Sequence, residues 1–572
     1  MKFTWMIGGE AGFGIMTTGV LMAKIASRLG YSVFDYVEYP SLIRGGHNAY
    51  KLTLSDEKTH CLQEKSDILI CLNEETWKLH QTQLKDDAVV IFDSKNFIPQ
   101  STKLFRMLSL PMGKILKELS GQAVMKNTIA LGASCALLGV NFQDIDSLLL
   151  GQFEKKGKEV VEYNRQFAKR GYDYVKDNFN GLSQPILTEN KNQKQLLVTG
   201  NEAFALGAVI GDCRFYAAYP MTPSSSVLTT LADWQKKTQM VVRHSEDEIA
   251  VVSSALGASF AGARSAVGTS GGGFALMVES ISFSGIAEIP LVVFLSQRPG
   301  PATGMPTWTE QGDLLFAVNA GHGEFPKIVL TPGDVEEMIS LTAKAFNLAD
   351  IYQLPVIILS DMYLSESHNT IKQSILNKIK NQYQINRGKT IDFVDDEKYL
   401  RYQISNDGIS PRLIPGFKEH YYQSNSYEHL QDGHTTENGD ERINQVKKRA
   451  AKINTYFKND FSAPLIYDDL DKAKTVLVGW GSVKGILLEA QKQISDCAVI
   501  HFNHIYPLDK EKVIKLFNEN KRYVLIENNS TGQFRKLLQT ETGVELKEKV
   551  LRYDGRPLTV QCITEKINKH ES

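Results

Sequence analysis

Short apolar runs alternate with stretches of helical periodicity through most of the chain. In its first third an apolar strand, a glycine-rich turn and a helix over 17–29 are followed by YSVFDYV, DILICL and AVVIFD. Runs of this length between helical periods predict a mostly parallel α/β sheet. A Lys- and Glu-rich helix over 153–179 closes this unit, residues 1–182. LGASCALLGV is too short to span a bilayer and reads as a buried helix. The Pro-, Asn- and Gln-bearing stretch over 183–194 reads as a linker. A second α/β unit, 195–383, carries the runs MVVRHS, RSAVGTS, PLVVFLSQ, KIVLT and LPVIILSD. Residues 384–470 are polar and turn-rich apart from the basic helix ERINQVKKRAAKI, which predicts an extended connector with no core of its own. A third α/β unit, 471–572, follows with KTVLVGWGS, AVIHFNHIYPL and YVLIENN.

Composition narrows the function. A chain of 572 residues exceeds one hydrophobic core. Its 42% hydrophobic and 23% charged content is that of a soluble globular protein, and a net charge of -1 gives no cause to expect nucleic acid or an anionic membrane as partner. The opening MKFTWMIGGEAGFGI lacks the basic and apolar regions of a signal peptide, so a cytoplasmic location is expected. Cys61, Cys71, Cys135, Cys213, Cys497 and Cys562 form no C-x-x-C pair and no group of four. They are expected to be buried thiols, so electron storage must lie elsewhere.

Five passages carry candidate chemistry. Gly9, Gly12 and Gly14 follow the opening strand, where backbone could approach a phosphate, although their spacing is not the dinucleotide fingerprint. Arg44-Gly45-Gly46-His47 is a second basic, flexible loop. Tyr219-Pro220-Met221-Thr222-Pro223, followed by three serines, holds a threonine between two prolines at the end of a strand, where open α/β sheets bind ligands. His244-Ser245-Glu246-Asp247-Glu248 heads a helix of Ala, Ser, Gly and Val, on which a backbone or a flat ligand could pack and a carboxylate would be partly desolvated. Ser270-Gly271-Gly272-Gly273-Phe274 is a further glycine-rich helix start. The loop after PLVVFLSQ carries Arg298, Thr303 and Thr307 among Gly and Pro; arginine suits a carboxylate and threonines an adjacent keto group.

Taken together, these passages resemble the alpha subunit of the 2-oxoacid:ferredoxin oxidoreductases, in the form with a gamma domain fused at its N-terminus. GNEAFALGAVIGDCRFYAAYPMTPSSS, HSEDEIAVVSSALGASFAGARSAVGTSGGG and SQRPGPATGMPTWTEQGD carry the likeness, joined by GGEAGFGI, RGGHNAY and VLVGWGS over most of the chain. The resemblance implies a gamma-like domain at 1–182, a thiamine diphosphate pyrimidine-binding domain of transketolase type at 195–383, and a transketolase C-terminal-like domain at 471–572. It further implies a beta subunit binding the diphosphate and Mg²⁺ and carrying an iron–sulfur cluster, assembly as a dimer of heterodimers, ferredoxin as acceptor and coenzyme A as co-substrate. The cofactor performs the hard chemistry and the protein orients it.

By the same resemblance a glutamate meets N1′ of the aminopyrimidine. Glu248, nine residues before Gly257, has the expected spacing, with Glu246 as the alternative. Tyr219, Pro220, Met221 and Thr222 would line the cofactor, while Thr222, Arg298 and Thr307 would contact the 2-oxoacid. The Gly9, Gly12, Gly14 and Arg44 loops are candidates for coenzyme A. The fused form points to 2-oxoglutarate. Two rival readings stand beside this one, a stand-alone nucleotide-dependent oxidoreductase and a non-catalytic scaffold subunit.

Overall fold

The computed structural model describes residues 1–40, 45–182, 187, 195–394, 399–416 and 420–568. The chain forms two compact units, Met1–Val198 with Ser367–Ser374, and Thr199–Glu366 with Ile375–Ser572. The expected linker at 183–194 lies outside the described residues, apart from Leu187.

The first unit is built on an eight-stranded sheet. Its strands run in the order Arg106–Ser109, Leu84–Phe92, Ser66–Cys71, Lys2–Glu10, His47–Ser55, Ser32–Glu38, His368–Lys372 and Gln195–Thr199. The first four are mutually parallel, but His47–Ser55 is antiparallel to both of its neighbours. The sheet is therefore mixed where a mostly parallel one was expected. The short connection between Ser32–Glu38 and His47–Ser55 explains the difference, because an antiparallel return needs no crossover helix. A second difference concerns His368–Lys372, which the sequence assigns to the central unit and which pairs here with Ser32–Glu38, Asn369 opposite Phe34. Helices Lys126–Leu137 and Lys158–Asn178 cross at reciprocal glycines. A Cβ on Gly132 would lie 1.9 Å from the Ala168 carbonyl oxygen, and one on Gly171 2.0 Å from that of Ile129.

The second unit carries a seven-stranded sheet in the order His504–Tyr506, Ile328–Leu330, Pro355–Asp361, Leu291–Gln297, Ser265–Thr269, Phe215–Ala218 and Val241–His244. All of these strands are parallel except His504–Tyr506. A five-stranded sheet follows, Leu465–Tyr467, Cys497–Phe502, Thr475–Trp480, Arg522–Glu527 and Glu548–Leu551. The single apolar run AVIHFNHIYPL thus feeds both sheets, passing at Asn503 from an interior strand of the five-stranded sheet to the edge strand of the seven-stranded one.

Residues 384–470 do more than connect. Thr390–Ile391 pairs with Arg412–Leu413, and the helix Gly439–Asn459 runs for 21 residues. Tyr402, Ile409, Leu413 and Tyr456 are buried, and the segment packs on the rest of its unit: the Tyr402 hydroxyl donates to the Ala287 carbonyl at 3.3 Å and the Tyr456 ring meets that of Tyr352, centroids 5.7 Å apart. Its charges are paired: the buried Glu288 carboxylate accepts from Lys448 Nζ and faces Lys452 Nζ, each at 2.6 Å, and Arg401 donates to the Glu288 carbonyl at 2.8 Å. Burial opposes ionisation of Glu288, but the two ammonium groups and Arg401 hold its carboxyl well below the usual range.

Candidate active site

Four neighbouring strands of the seven-stranded sheet end together, because they are parallel, and each delivers one candidate passage. Leu291–Gln297 leads to Arg298, Ser265–Thr269 to Ser270, Phe215–Ala218 to Tyr219–Pro223, and Val241–His244 to Glu248. Ligands of open parallel sheets sit at this edge.

Helix Glu248–Phe260 begins at the Asp247 cap, whose carboxylate accepts from the Ala250 amide at 2.8 Å. Capping consumes Asp247, Glu246 is exposed, and Glu248 turns inward to 4% exposure. Its Oε1 is buried with no hydrogen-bond partner. The carboxyl lies over the start of helix Gly271–Ile286, where a Cβ on Gly273 would stand 2.6 Å from Glu248 Oε1 and 2.2 Å from Thr269 Oγ1. A buried carboxyl oxygen without a partner costs free energy unless a ligand hydrogen-bonds to it. The residues here therefore fit an aminopyrimidine nitrogen, and of the two glutamates only Glu248 has this geometry.

The Thr222–Pro223 peptide is cis, and the turn is fastened from below by Asn201, whose Nδ2 donates to the Pro223 carbonyl and to Ser226 Oγ, both at 2.7 Å. Tyr219 is 39% exposed and faces His244, ring centroids 6.2 Å apart. Met221 approaches Thr269, whose Oγ1 donates to the thioether at 4.0 Å. Arg298 Nη1 donates to the Thr222 carbonyl at 2.8 Å, so the structure joins two of the expected substrate-binding loops directly. Burial draws the Arg298 guanidinium below its ordinary value, opposed by Asp313. Thr307 is 5% exposed and its Oγ1 has no partner.

The five-stranded sheet clamps the segment that follows Thr307. The Thr309 amide donates to the Gly555 carbonyl at 3.2 Å and the Gln311 amide to that of Asn528 at 2.7 Å. Gln311 Nε2 reaches the Trp480 carbonyl at 2.9 Å, and the Arg556 guanidinium lies 3.2 Å above the Trp308 ring. Asn201, Gln311 and Asp313 were absent from the sequence candidates. Each lies in or beside a quoted passage, but nothing in its spacing distinguishes a support from a loop residue.

In the first unit, Gly9 lies inside strand Lys2–Glu10, so the turn rests on Gly12 and Gly14 alone. Gly14 caps helix Ile15–Arg28 in the left-handed region, with Asn127 donating to its carbonyl at 3.2 Å. The Ala11 amide donates to the Gly46 carbonyl at 3.1 Å, which brings the two glycine loops side by side. Arg44 lies outside the described residues. Beside these loops His47 and His80 share a hydrogen bond between their Nε2 atoms at 2.8 Å. Burial, reinforced by His47, pushes His80 down to about 4.

Among the described residues no group of three His, Cys, Asp or Glu could hold a metal ion, and no helix is long and apolar enough to cross a membrane. Five of the six cysteines are buried and Cys562 is partly exposed.

One edge of the parallel sheet thus brings together a buried glutamate, Glu248, and an arginine, Arg298, held against the Thr222 loop. Two family models match, Pyruvate flavodoxin/ferredoxin oxidoreductase, thiamine diP-bdg, over residues 206–448, and Pyruvate ferredoxin/flavodoxin oxidoreductase over residues 4–174. A 2-oxoacid:ferredoxin oxidoreductase subunit alpha from Sulfolobus sp is 30% identical over 627 residues, covering 100% of this chain and 97% of its own length. The chain belongs to the 2-oxoacid:ferredoxin oxidoreductase alpha subunits. A 2-oxoglutarate synthase subunit KorA from Archaeoglobus fulgidus is 41% identical over 184 residues, 32% of this chain and 53% of that one. Among solved structures, the 2-oxoglutarate:ferredoxin oxidoreductase from Magnetococcus marinus, with 2-oxoglutarate, coenzyme A and succinyl-CoA bound, superposes with a TM-score of 0.92 at 28% identity over 100% of both chains.

Proposed function

We propose that this alpha subunit activates thiamine diphosphate through Glu248 and holds a 2-oxoacid through Arg298, Thr222 and Thr307, with 2-oxoglutarate as the substrate. The observation that carries the reading is the buried, unpartnered Glu248 Oε1 above Gly273, on the same sheet edge as Arg298. Thiamine diphosphate bound here would supply a carbon nucleophile for the keto group and a cationic ring to take up the electron pair that carbon dioxide leaves behind.

Each residue has a definable task. Glu248 would hydrogen-bond the aminopyrimidine nitrogen and hold its tautomer, with Tyr219, Pro220, Met221 and Thr222 walling the ring. The Arg298 guanidinium would bind the oxoacid carboxylate, its fork matched to two oxygens. The Thr222 and Thr307 hydroxyls would donate to the keto oxygen.

A beta subunit completes the reading. Ile249 and Leu276, each more than half exposed, flank the exposed Ser253, Gly257 and Gly272 on the outer faces of their helices, a surface suited to a closely packed partner. The diphosphate, Mg²⁺ and the iron–sulfur cluster are assigned to that chain, because the cysteines here are scattered and mostly buried. Ferredoxin takes the electrons, and the assembly is a dimer of heterodimers. Coenzyme A is assigned to the paired loops around Gly12, Gly14 and Gly46. The family relative whose structure contains coenzyme A supports its use as co-substrate.

The test is steady-state kinetics of the purified alpha–beta complex. Glu248→Gln should lower kcat by about 100-fold with little change in KM. Arg298→Ala should raise KM strongly, and Arg298→Lys should recover only part of the loss. Unchanged turnover in Glu248→Gln would refute the assignment and favour a scaffold subunit.

A further inference from the structure

Two carboxyl groups, not one, rest on the glycine-rich start of helix Gly271–Ile286. Glu248 covers Gly273, and Asp313 covers Gly271, where a Cβ would stand 2.6 Å from Asp313 Oδ2 and 3.1 Å from Oδ1. Gly271 and Gly273 thus leave room for a pair of acids on one helix terminus, while Gly272 between them faces open space. Asp313 is placed from the strand that carries Arg298: its amide donates at 2.8 Å to Oε1 of Gln297, the residue before Arg298. Gln297 is in turn anchored by its Nε2 to the Ser360 carbonyl at 3.0 Å. The backbone on either side is held as well, since Gln533 accepts from the Leu315 amide at 2.9 Å and donates to the Gly312 carbonyl at 2.5 Å.

The charged groups facing Asp313 are few. Arg298 lies on one side and attracts it, and Glu310 on its own loop repels it. Glu248 lies two residues further along the helix floor. Asp313 and Arg298 form no direct ion pair; Arg298 donates from Nη1 to the Thr222 carbonyl, which leaves Nη2 and Nε to a ligand while its charge is felt by the aspartate.

Building on the assignment of Arg298 to the oxoacid carboxylate, we propose that Asp313 is a positioning residue of the oxoacid site that acts through Arg298. Ionised, it offsets the arginine's charge; protonated, it leaves that charge to the incoming carboxylate. Burial, opposed by Arg298, already pushes Asp313 up to about 6, within reach of working pH. A second carboxylate placed on Arg298 raises Asp313 further, so substrate binding takes up a proton. The oxoacid carboxylate is ionised throughout this range. Affinity for substrate therefore increases as pH falls through the Asp313 range, and the effect lies in KM.

The experiment measures KM and kcat for 2-oxoglutarate from about pH 5.5 to about pH 8, using the assembled complex carrying wild type, Asp313→Asn, Arg298→Ala and the double variant, with Tm for each. The wild-type KM is expected to rise with pH. In Asp313→Asn that slope should vanish, and KM at the alkaline end should fall by about tenfold, the scale of a charge one shell away, with kcat and Tm little moved. In the Arg298→Ala background, Asp313→Asn should change nothing further. A KM slope that persists in Asp313→Asn, or a KM that rises there, would overturn the proposal, as would equal effects of Asp313→Asn with and without Arg298. If Arg298→Ala itself leaves KM unchanged, the carboxylate assignment has failed, and that outcome is separate from a failure of Asp313 alone.

Discussion

At the scale of single residues, the site depends on what is missing as much as on what is present. Gly273 has to lack a side chain because Glu248 and Thr269 occupy the space above it. A Gly273→Ala variant should fold, since a helix tolerates alanine better than glycine, yet its methyl group would displace the Glu248 carboxyl. The expected result is a loss of kcat of about 100-fold, comparable to that of Glu248→Gln, with some fall in Tm because the methyl group also meets the buried Thr269; full activity would show that Glu248 is not held over this glycine. The sequence made Glu248 and Glu246 both eligible, because spacing along a helix start says little about which acid caps and which turns inward. With Asp247 on the cap, Glu248 is the acid that turns inward and Glu246 stays exposed. Asp313 was illegible for a related reason: its partners Gln297 and Gly271 are distant in sequence, and an acid in a loop ordinarily faces water.

At the scale of elements, the apolar runs were read correctly far more often than their pairings. Five strands of the seven-stranded sheet follow the runs quoted for the central unit, and four of those five are buried and largely apolar, as parallel strands covered on both faces are. The strand His47–Ser55 escaped notice because His47, Asn48 and Lys51 dilute its alternation, and with it went the antiparallel hairpin of the first sheet. AVIHFNHIYPL shows the other limit, because one continuous run cannot reveal that its two halves enter different sheets. Helix packing is equally hidden. LGASCALLGV announces a buried helix but not its partner, and the reciprocal glycines explain how close the crossing is. Gly132→Ala would drive a methyl group into the Ala168 carbonyl and should destabilise the first unit by about 3 kcal/mol. Thermal unfolding of the variant measures this; an unchanged Tm would mean that the crossing is looser than the structure has it.

Over the whole chain, charge is what the sequence misrepresented. Residues 384–470 look like solvated connector because they are rich in Lys, Arg and Tyr, but Arg401, Lys448 and Lys452 are buried around Glu288. Pairing makes such burial tolerable, and composition cannot show pairing. Glu288→Gln should leave two buried ammonium groups without a counter-charge and destabilise the second unit by about 3 to 5 kcal/mol, read as a fall in Tm. A variant as stable as wild type would show that these lysines do not depend on Glu288.

The first sheet has a consequence for how the chain can be divided. Its last two positions are filled by Gln195–Thr199 and His368–Lys372, so the first unit is interrupted by the fold it precedes. A cut at the linker would release residues 1–182 without either strand, leaving Ser32–Glu38 as an open edge ready to pair with another chain. In this protein the fusion is thus a structural dependency, and a separately encoded version of the same domain would need some other way to close that edge.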